Sequence, residues 1–553
     1  MKRIPAFWFF AIPYCLAWIV LCTVFQTTFR TDIIEQYALG DQWMLSSGKN
    51  PLLSAWILNV FRRITFDAPF APYLAAESGV LLMLWCIWQL ARAFLRDERR
   101  GEQLAFLAVL ASANYRYLNI GNLIFANNLV LTVFWVVAIY CLYRALTENR
   151  AWAWAATGMA LGLALQGKYT AILLVFSMLV FMFANAPARR YWFGPGPWLT
   201  VLAAFLVFLP HIAWAFSNDF HTFLYVGTKL DEIPLRLPDR FLLPWKFPVS
   251  LILVLLPSLI TLIPLTGWCW QWKLRNKSEK TPDASSHEPR GTHGPDRVHD
   301  RSPAGCGTAG FRIAYLATMI LVPIPLHMIA AASGIPHPTS YVMPLGMYAT
   351  VLFLALVRLN TVPAAFRRTT VLGSAIAVGT MIVWASWITV SVHWGKKPPI
   401  TEFPARALAA EVEREWKKRF GEQPCPYIME WNHYYLSGYV HVYGSMRIPI
   451  YDSFITLHID DGDLNRRGAI LLWDPETFSR ERSAPTSRRL EQKTLAAGKR
   501  KYSEEEIFEC VRKHFPRAQR LNDTETELEI PYPQRRFAPY RVGMAVIPPV
   551  PSP

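Results

Sequence analysis

The sequence predicts a polytopic α-helical membrane protein of about eleven spans, followed by a C-terminal extracytoplasmic α/β domain. Of its 553 residues, 53% are hydrophobic and 14% are aromatic, which is too apolar for an ordinary soluble enzyme. Apolar runs near the ~20 residues that cross a bilayer as a helix recur through the first 390 residues. The mean hydropathy is nevertheless only +0.20, so a substantial hydrophilic part must accompany these runs.

Eleven apolar runs are the predicted spans. They cover residues 6–28, 73–95, 103–122, 124–143, 151–167, 169–186, 198–216, 247–270, 313–333, 341–357 and 371–392. Lys2 and Arg3 precede the first run, but this run is too long for the apolar part of a signal peptide, and no small-residue cleavage site follows it. We therefore expect the first run to remain in the protein as a span.

Basic residues predict which side of the membrane each connection faces. They concentrate in alternate connections, at Arg96, Arg99, Arg100, Arg144, Arg150, Arg189, Arg190, between Lys273 and Arg312, and at Arg358, Arg367 and Arg368. Because such loops face the cytoplasm, an odd number of spans places everything after residue 392 outside. This bias indicates a multi-pass protein of the bacterial inner membrane with a periplasmic C-terminal domain. It also accounts for much of the net charge of +16, so a nucleic-acid partner is not expected.

The predicted division of the chain is residues 1–393 and residues 394–553. The membrane domain has an outer loop at 30–72 and a polar cytoplasmic loop at 271–312, whose composition is typical of disorder. In the second domain, helical periodicity at 402–420 and 503–515 alternates with short apolar strands at 426–430 and 469–473. Weaker strand patterns at 527–530 and 542–547 follow, and together they predict a small α/β domain.

The loop after the first span, residues 31–53, carries the first candidate chemistry. It contains the acids Asp32, Glu35 and Asp41 and a lone base, Lys49, beside an Asn-Pro turn. A carboxylate can take a proton from an acceptor hydroxyl, and an ammonium can bind a phosphate. A solvated connector would show the same charges, so these residues alone leave both interpretations open.

Two further positions lie at the outer ends of spans. Asn127 and Asn128 begin the fourth span, where amides commonly cap helices but can also bind a sugar. Lys168 separates two apolar helices, where a lysine either extends to the membrane surface or binds an anionic group such as a lipid phosphate. Capping and surface extension are the simpler interpretations.

A longer outer loop, residues 217–248, contains several candidate binding residues: Asp219, Tyr225, Lys229, Asp231, Glu232, Arg236 and Arg240. Arg236 or Arg240 could bind a phosphate or a sugar carboxylate with two parallel hydrogen bonds. The sequence does not select between them.

Two cysteines, Cys425 and Cys510, are the only ones in the predicted outer domain. An oxidising compartment would allow them to form a disulfide. One lies at the start of a predicted strand and the other within a predicted helix, so the pattern leaves the bond open.

Together these residues resemble the GT-C superfamily of membrane glycosyltransferases. The nearest branch contains the protein O-mannosyltransferases, the lipid A aminoarabinose transferases and the rhizobial lipopolysaccharide galacturonosyltransferases. The family's outer-loop motif is matched by Asp32, Tyr37, Lys49, Asn50, Pro51, Leu52 and Trp56, and its later motifs by Gly162-Leu163-Ala164, Lys168-Tyr169, Pro210-His211, Trp214 and Asn218-Asp219-Phe220. The segment 465–476 resembles a motif in the soluble tail of bacterial members.

The resemblance implies transfer of a sugar from a polyisoprenyl-phosphate donor, with inversion, to an acceptor such as lipid A, lipopolysaccharide core or another envelope glycan. It assigns catalysis to Asp32, with Glu35 as the next acid. The donor phosphate would contact Lys49, Lys168, Arg236 and Arg240, and the substrate would contact Tyr37, Asn127, Asn128, Asp219 and Tyr225. The alternative function is a transporter or flippase for a lipid-linked glycan, although no internal repeat of the kind typical of transporters is evident.

Three departures from the family pattern affect the expected mechanism. The acid that follows Asp32 in the family is displaced here to Glu35. Gly48 stands where the family has an acid before the lysine, and Asn128 stands where it has a second outer acid. Asp41 matches no family acid. A divalent metal is therefore compatible with the family but not specified by these residues, and no other cofactor is expected.

Overall fold

The structure is a computed structural model of the chain. It describes residues 5–47, 50–220, 222, 237–266, 305–333, 339–431, 435–451, 461–476, 478, 502–522 and 526–550. Most of the predicted cytoplasmic loop 271–312 lies outside these residues.

The N-terminal part of the chain is a helical bundle. Its helices are α1 (Ala6–Phe25), α2 (Thr31–Gly40), α3 (Leu53–Ile64), α4 (Ala71–Phe94), α5 (Gly101–Ala113), α6 (Asn127–Glu148), α7 (Ala151–Gly167), α8 (Ile172–Ala184), α9 (Ala186–Arg189), α10 (Pro195–Ser217), α11 (Leu237–Thr266), α12 (Ala309–Leu321), α13 (Pro323–Ala332), α14 (Ala349–Leu356) and α15 (Pro363–Trp394). The apolar composition that predicted spans is thus realised as helices packed on one large apolar core.

The number of full-length spans among the described residues is smaller than predicted. Seven helices are long and apolar enough to cross a membrane, or eight if the bent pair 169–184 and 186–193 is one span. The predicted third span, 103–122, is the 13-residue α5 followed by two short 3-10 turns, and the predicted tenth span contains only the eight-residue α14. The predicted fold class is confirmed, but these two apolar runs are buried as shorter, broken elements.

The short turns after α5 are fixed by hydrogen bonds from neighbouring helices. The Tyr14 hydroxyl contacts the carbonyl oxygens of Ala113 and Leu118, each at 2.9 Å. The Tyr115 hydroxyl donates to the Val342 carbonyl at 3.0 Å. Because buried backbone carbonyls need donors, these tyrosines allow the chain to leave helical geometry inside the bundle.

The C-terminal part is the predicted α/β domain. Its elements are α16 (Ala405–Phe420), β1 (Ile428–Glu430), α17 (Tyr435–Tyr443), β2 (Ile450–Tyr451), α18 (Asp461–Arg467), β3 (Ala469–Trp473), α19 (Glu504–His514), β4 (Glu527–Ile530) and β5 (Tyr540–Ile547). The sheet order is β2-β1-β3-β5-β4. β1 is parallel to β2 and β3, whereas β5 is antiparallel to β3 and β4. The four strand patterns and two helix patterns predicted from the sequence are all present, and α17, β2 and α18 were not predicted.

The two faces of this sheet are covered differently. On β3, Ile470 and Leu472 belong to a core that includes residues of α2 and α3, whereas Leu471 and Trp473 belong to a core under α19. This alternation follows from the period of two in a strand. One face of the C-terminal sheet therefore packs toward the outer loop of the membrane domain, which places both on the same side of the membrane.

The Cys425–Cys510 disulfide is not present in the structure. Cys425 is buried in the core facing the outer loop, and Cys510 packs against the core on the opposite face of the sheet. The two side chains are separated by the sheet, which the spacing in sequence did not reveal.

Candidate active site

Helix α2 lies between the membrane bundle and the C-terminal domain. Ile33 and Tyr37 are buried in the bundle core, while Ile34 and Ala38 are buried in the core of the C-terminal domain. Each pair is separated by four residues and so shares a helix face. Burial on two sides fixes the position of the predicted acids on this helix.

Of the two predicted acids on α2, Asp32 lies in the first turn and Glu35 lies one turn later. Asp32 is exposed and Glu35 is half-buried. Asp32 is four residues before Gln36, which is buried, so the Asp32 carboxylate and the Gln36 amide lie on the same face of the helix.

A buried chain of hydrogen bonds runs from this face of α2 to the start of α6. The Ser54 hydroxyl donates to Gln36 Oε1 at 2.6 Å and also contacts the side-chain amide of Asn127. Ser54 and Gln36 were not identified from the sequence, because a buried Ser and Gln in neighbouring helices carry no local signal. The chain links the helix that carries Asp32 to the predicted pair Asn127 and Asn128.

Asn128 in turn holds the predicted lysine. The Lys168 ammonium donates to Asn128 Oδ1 at 2.9 Å and lies 4.3 Å from the centre of the Tyr341 ring. Asn128 Nδ2 donates to Ser340 Oγ at 3.3 Å. A small cavity beside these groups is lined by Asn128, Thr132, Thr170, Ser340 and Tyr341, among others. The half-buried Lys168 is therefore part of a polar site rather than an isolated surface lysine.

The residue after Lys168 belongs to a second contact between predicted motifs. The Tyr169 hydroxyl lies 2.7 Å from His211 Nε2, and the His211 ring stacks on Trp214. His211 is buried. This contact joins the end of α7 to α10 and fixes the backbone that presents Lys168.

An apolar groove opens between α3, α4 and α6 on the same side of the bundle. Its lining includes Ile57, Phe61, Leu82, Leu129 and Phe134. Its volume is about 180 Å³. The groove has the shape and polarity to hold part of an apolar chain.

An ion-pair network that the sequence did not predict connects the outer loop to α17. Arg62 Nη1 donates to Asp41 Oδ2 at 2.8 Å, and His441 Nε2 lies 2.9 Å from the same oxygen. His441 Nδ1 lies 2.9 Å from the Ile448 carbonyl oxygen, so the ring joins α17 to both the outer loop and the segment before β2. Burial alone would raise the pKa of Asp41, but the hydrogen bonds from His441 and Arg62 outweigh it and lower the pKa to about 2.

The remaining predicted residues are less clearly placed. Tyr37 is buried beneath the Arg62 guanidinium, and its burial raises the pKa of the phenol. Asp219 is exposed after the end of α10, and Arg240 is exposed near the start of α11. Lys49, Tyr225 and Arg236 lie outside the described residues. Within the described ranges, no group of three or more His, Cys, Asp and Glu side chains could hold a metal ion.

One acid inside a span was also missed. Glu77 in α4 is 2% exposed, and neither of its carboxylate oxygens has a hydrogen-bond partner among the described residues. An ionisable residue within an apolar run is itself a sequence signal, and it should have been included with the outer acids.

Comparison with known proteins gives matches of two kinds. Residues 49–214 match the family model described as dolichyl-phosphate-mannose-protein mannosyltransferase. The structure is similar to that of ArnT from Cupriavidus metallidurans bound to undecaprenyl phosphate, with a TM-score of 0.56 and 12% identity over 98% of this chain and 99% of that chain. For ArnT from the same organism in the apo state the TM-score is 0.52, with 11% identity and the same coverage. A search of curated protein sequences gives no significant match.

The chain therefore shares its overall fold with ArnT, a helical bundle with an α/β domain. The resemblance predicted from the sequence is confirmed, since the segment matching the mannosyltransferase family contains Asn127, Asn128 and Lys168.

Proposed function

We propose that this protein transfers a sugar from a polyprenyl-phosphate donor to an envelope glycolipid or glycan, at the face of the membrane that carries the C-terminal domain. The observation that carries this proposal is the polar site around Lys168, which the Asn127–Ser54–Gln36 chain links to the helix bearing Asp32. Undecaprenyl phosphate is bound by the structurally similar ArnT, and a donor of that chemical class fits the groups present here.

The phosphate of the donor is assigned to Lys168. An ammonium has three N–H donors, of which Asn128 accepts one, so donors are left for a phosphate oxygen. The Tyr341 ring covers the cation and restricts it to one position. Lys49, in the same outer loop as Asp32, is assigned as a second phosphate ligand from its position in the family motif.

The acceptor hydroxyl is assigned to Asp32, with Glu35 as the alternative base. In the reaction, the acceptor oxygen forms a bond to the anomeric carbon while the bond from that carbon to the phosphate oxygen breaks. The acceptor proton passes to the Asp32 carboxylate, and the departing polyprenyl phosphate is stabilised by Lys168. A single displacement of this kind inverts the anomeric carbon.

The polyprenyl chain is assigned to the apolar groove between α3, α4 and α6. The groove is lined by Phe61, Leu129 and Phe134, and burying apolar chain surface there contributes about 25 cal/mol per Å². We assign the reaction to the periplasmic face of a bacterial inner membrane, with lipid A or lipopolysaccharide core as the acceptor class.

The function is tested by comparing envelope glycolipids from cells with and without the protein by mass spectrometry, and then by transfer with purified protein. The expected result is loss of one sugar in the deletion strain, restored by the wild type and not by Lys168→Ala. Lys417→Ala is the matched control, because Lys417 forms only an exposed ion pair on α16. Full restoration by Lys168→Ala would contradict the site assignment. Movement of a lipid-linked sugar across the membrane without any transferred product would favour the flippase alternative.

A further inference from the structure

Helix α3 carries an apolar face that is partly exposed in the outer loop. Leu53, Ile57, Val60 and Ile64 are spaced at intervals of three and four residues, so they share one side of the helix, here called the α3 apolar face. Ile57 lines the apolar groove, whereas Val60 and Ile64 are exposed, Ile64 to 61%. The transfer reaction proposed above uses the groove but not the exposed end of this face.

The opposite side of α3 faces the C-terminal domain. Ala55 belongs to the core of that domain, and Asn59 Nδ2 donates to the Gly40 carbonyl oxygen in α2 at 2.8 Å. At about 100° per residue, Ile64 lies about 180° around the helix from Ala55. The exposed end of the α3 apolar face therefore points away from the C-terminal domain, toward the side on which α4 enters the membrane.

A turn with a strained backbone follows α3 and displays an aromatic side chain. Phe66 and Asp67 both have left-handed backbone angles, with φ of 54° and 61°, a conformation that bulky residues rarely adopt. The Phe66 side chain is 92% exposed. Because Phe66 lies five residues before the first residue of α4, Ala71, it is close to the membrane surface, where aromatic residues concentrate in membrane proteins.

Asp67 holds this turn in place from two sides. Its carboxylate lies 3.2 Å from Arg62 Nε and 3.3 Å from Arg447 Nη2 of the C-terminal domain. Its backbone amide donates to the Arg62 carbonyl oxygen at 2.9 Å. Backbone strain persists only where surrounding contacts over-determine the conformation. The display of Phe66 is therefore imposed by the fold, and the turn is tied to the C-terminal domain.

The charged side chains beside the turn are compatible with a membrane surface. The Asp67 carboxylate faces two arginines, Arg62 and Arg447, so it carries no uncompensated negative charge. The Arg63 guanidinium is exposed and lies 5.4 Å from the centre of the Trp43 ring. Tryptophan is enriched at the boundary between headgroups and acyl chains, and an arginine there extends its charged end toward the headgroups.

We propose that the exposed end of the α3 apolar face and the turn after it insert into the lipid leaflet on the side of the C-terminal domain. Val60, Ile64 and Phe66 contact acyl chains, and Arg63 contacts lipid phosphates. Lipid is the occupant because the α3 apolar face continues through the groove to the span α4, where Leu82 is exposed. Through the ion pairs of the turn, this insertion also sets the height of the C-terminal domain above the membrane.

The test measures the depth of position 66 in the full-length protein reconstituted into phospholipid vesicles. An environment-sensitive fluorescent amino acid replaces Phe66, and its emission is quenched by lipids brominated on their acyl chains or by aqueous iodide. We expect quenching by the brominated lipids, at a depth of about 5–10 Å, and loss of quenching by iodide. The control position is Glu509, which is exposed on α19, on the face of the sheet away from the outer loop, and should be quenched only by iodide.

Two results at position 66 would overturn the proposal. Quenching by iodide without quenching by the brominated lipids would place the turn in water. Protection from both quenchers would show that another protein molecule, and not lipid, covers the turn.

A matched pair of variants tests the contribution of the α3 apolar face. Ile64→Asp places a charge where acyl chains are expected, which is costly, so the probe at position 66 should lose its quenching by lipid and become quenched by iodide. Val550→Asp is the control, because Val550 is an exposed apolar residue of the C-terminal domain. Unchanged lipid quenching in Ile64→Asp, or the same loss in both variants, would refute the inserted face.

These measurements are independent of the proposed transfer reaction. They contain neither donor nor acceptor, so a negative result leaves the transferase assignment unchanged, and a failed transfer assay leaves the lipid contact unchanged. Equal melting temperatures of the two variants in detergent establish that Ile64→Asp remains folded, since its side chain is exposed in the wild type.

Discussion

Asp41→Asn tests the contact between the outer loop and the C-terminal domain. In the wild type this carboxylate is the shared partner of Arg62 and His441, whose side chains are 13% and 5% exposed. The substitution keeps the shape of the side chain but removes the carboxylate that both residues contact, and it leaves Asp67 as the acid paired with Arg62. We therefore expect the domain interface to weaken rather than the active site to lose a reacting group.

The expected loss of stability in Asp41→Asn follows from the lowered pKa of Asp41. A decrease from 3.8 to about 2 corresponds to about 2 kcal/mol at ~1.4 kcal/mol per unit, and the partial exposure of the carboxylate reduces this to about 1–2 kcal/mol. At about 2–4 °C per kcal/mol, the melting temperature in detergent should fall by about 2–8 °C at pH 7.

The stabilisation that the Asp41 carboxylate contributes should decrease at low pH. Because the folded pKa is below the ordinary value of 3.8, the stabilisation is fully present above pH 3.8 and is lost as the pH falls through about 2. The difference in melting temperature between wild type and Asp41→Asn should therefore be constant near neutrality and shrink below pH 4.

The control for this measurement is Glu422→Gln. Glu422 is 86% exposed and pairs with Lys417 on the surface, where ion pairs contribute about 0–1 kcal/mol. Identical melting temperatures for Asp41→Asn and the wild type at pH 7 would show that the network does not hold the two parts together.

Three further predictions concern catalysis and topology. The Asp32→Asn protein should insert normally but lose about 10²–10⁴-fold in transfer rate, the usual contribution of a general base. The control, Glu422→Gln, should transfer at the wild-type rate. Near-normal transfer by Asp32→Asn would make Glu35 the base. Lys168→Ala should raise the KM for the polyprenyl-phosphate donor more than it lowers kcat, measured by steady-state transfer, and an unchanged KM would remove Lys168 from the phosphate site. Alkaline phosphatase fused after Pro398 should be active and fused at Ser285 inactive, and the reverse pattern would place the outer loop in the cytoplasm.

The sequence predicted elements whose residues carry a local pattern. β3 is a run of five buried residues, and α19 begins with a capping box formed by Ser503 and Glu506; both were predicted within a residue or two. The prediction of a continuous helix for the third span was wrong, because an apolar composition indicates that a segment is buried but not that it is helical. There the Tyr14 hydroxyl, from the neighbouring helix α1, bonds to carbonyl oxygens at the end of α5 and in the following turn.

The candidate site was predicted only as separate residues. Asn128 and Lys168 were each identified as candidates, but their contact across 40 residues required the packing of α6 against α7. The sequence offered no reason to select Ser54 or His441, because the contacts that define their roles are made with residues up to 400 positions away. For the same reason Asp41 appeared unimportant, although it joins the two parts of the molecule.

Because α2 packs between two cores, its folding can be completed only after both parts of the chain have been synthesised. At Gly438 a Cβ would lie 2.5 Å from Ile34 Cγ2, so α17 is the surface against which α2 is seated. The ribosome reaches that surface about 400 residues after α2, which at about 5–20 residues per second takes on the order of 20–80 s. During this interval the segment that bears Asp32 is already made but lacks half of its packing. We therefore expect a chain truncated before α17 to lack the packing that positions Asp32, even when every helix of the bundle has been synthesised.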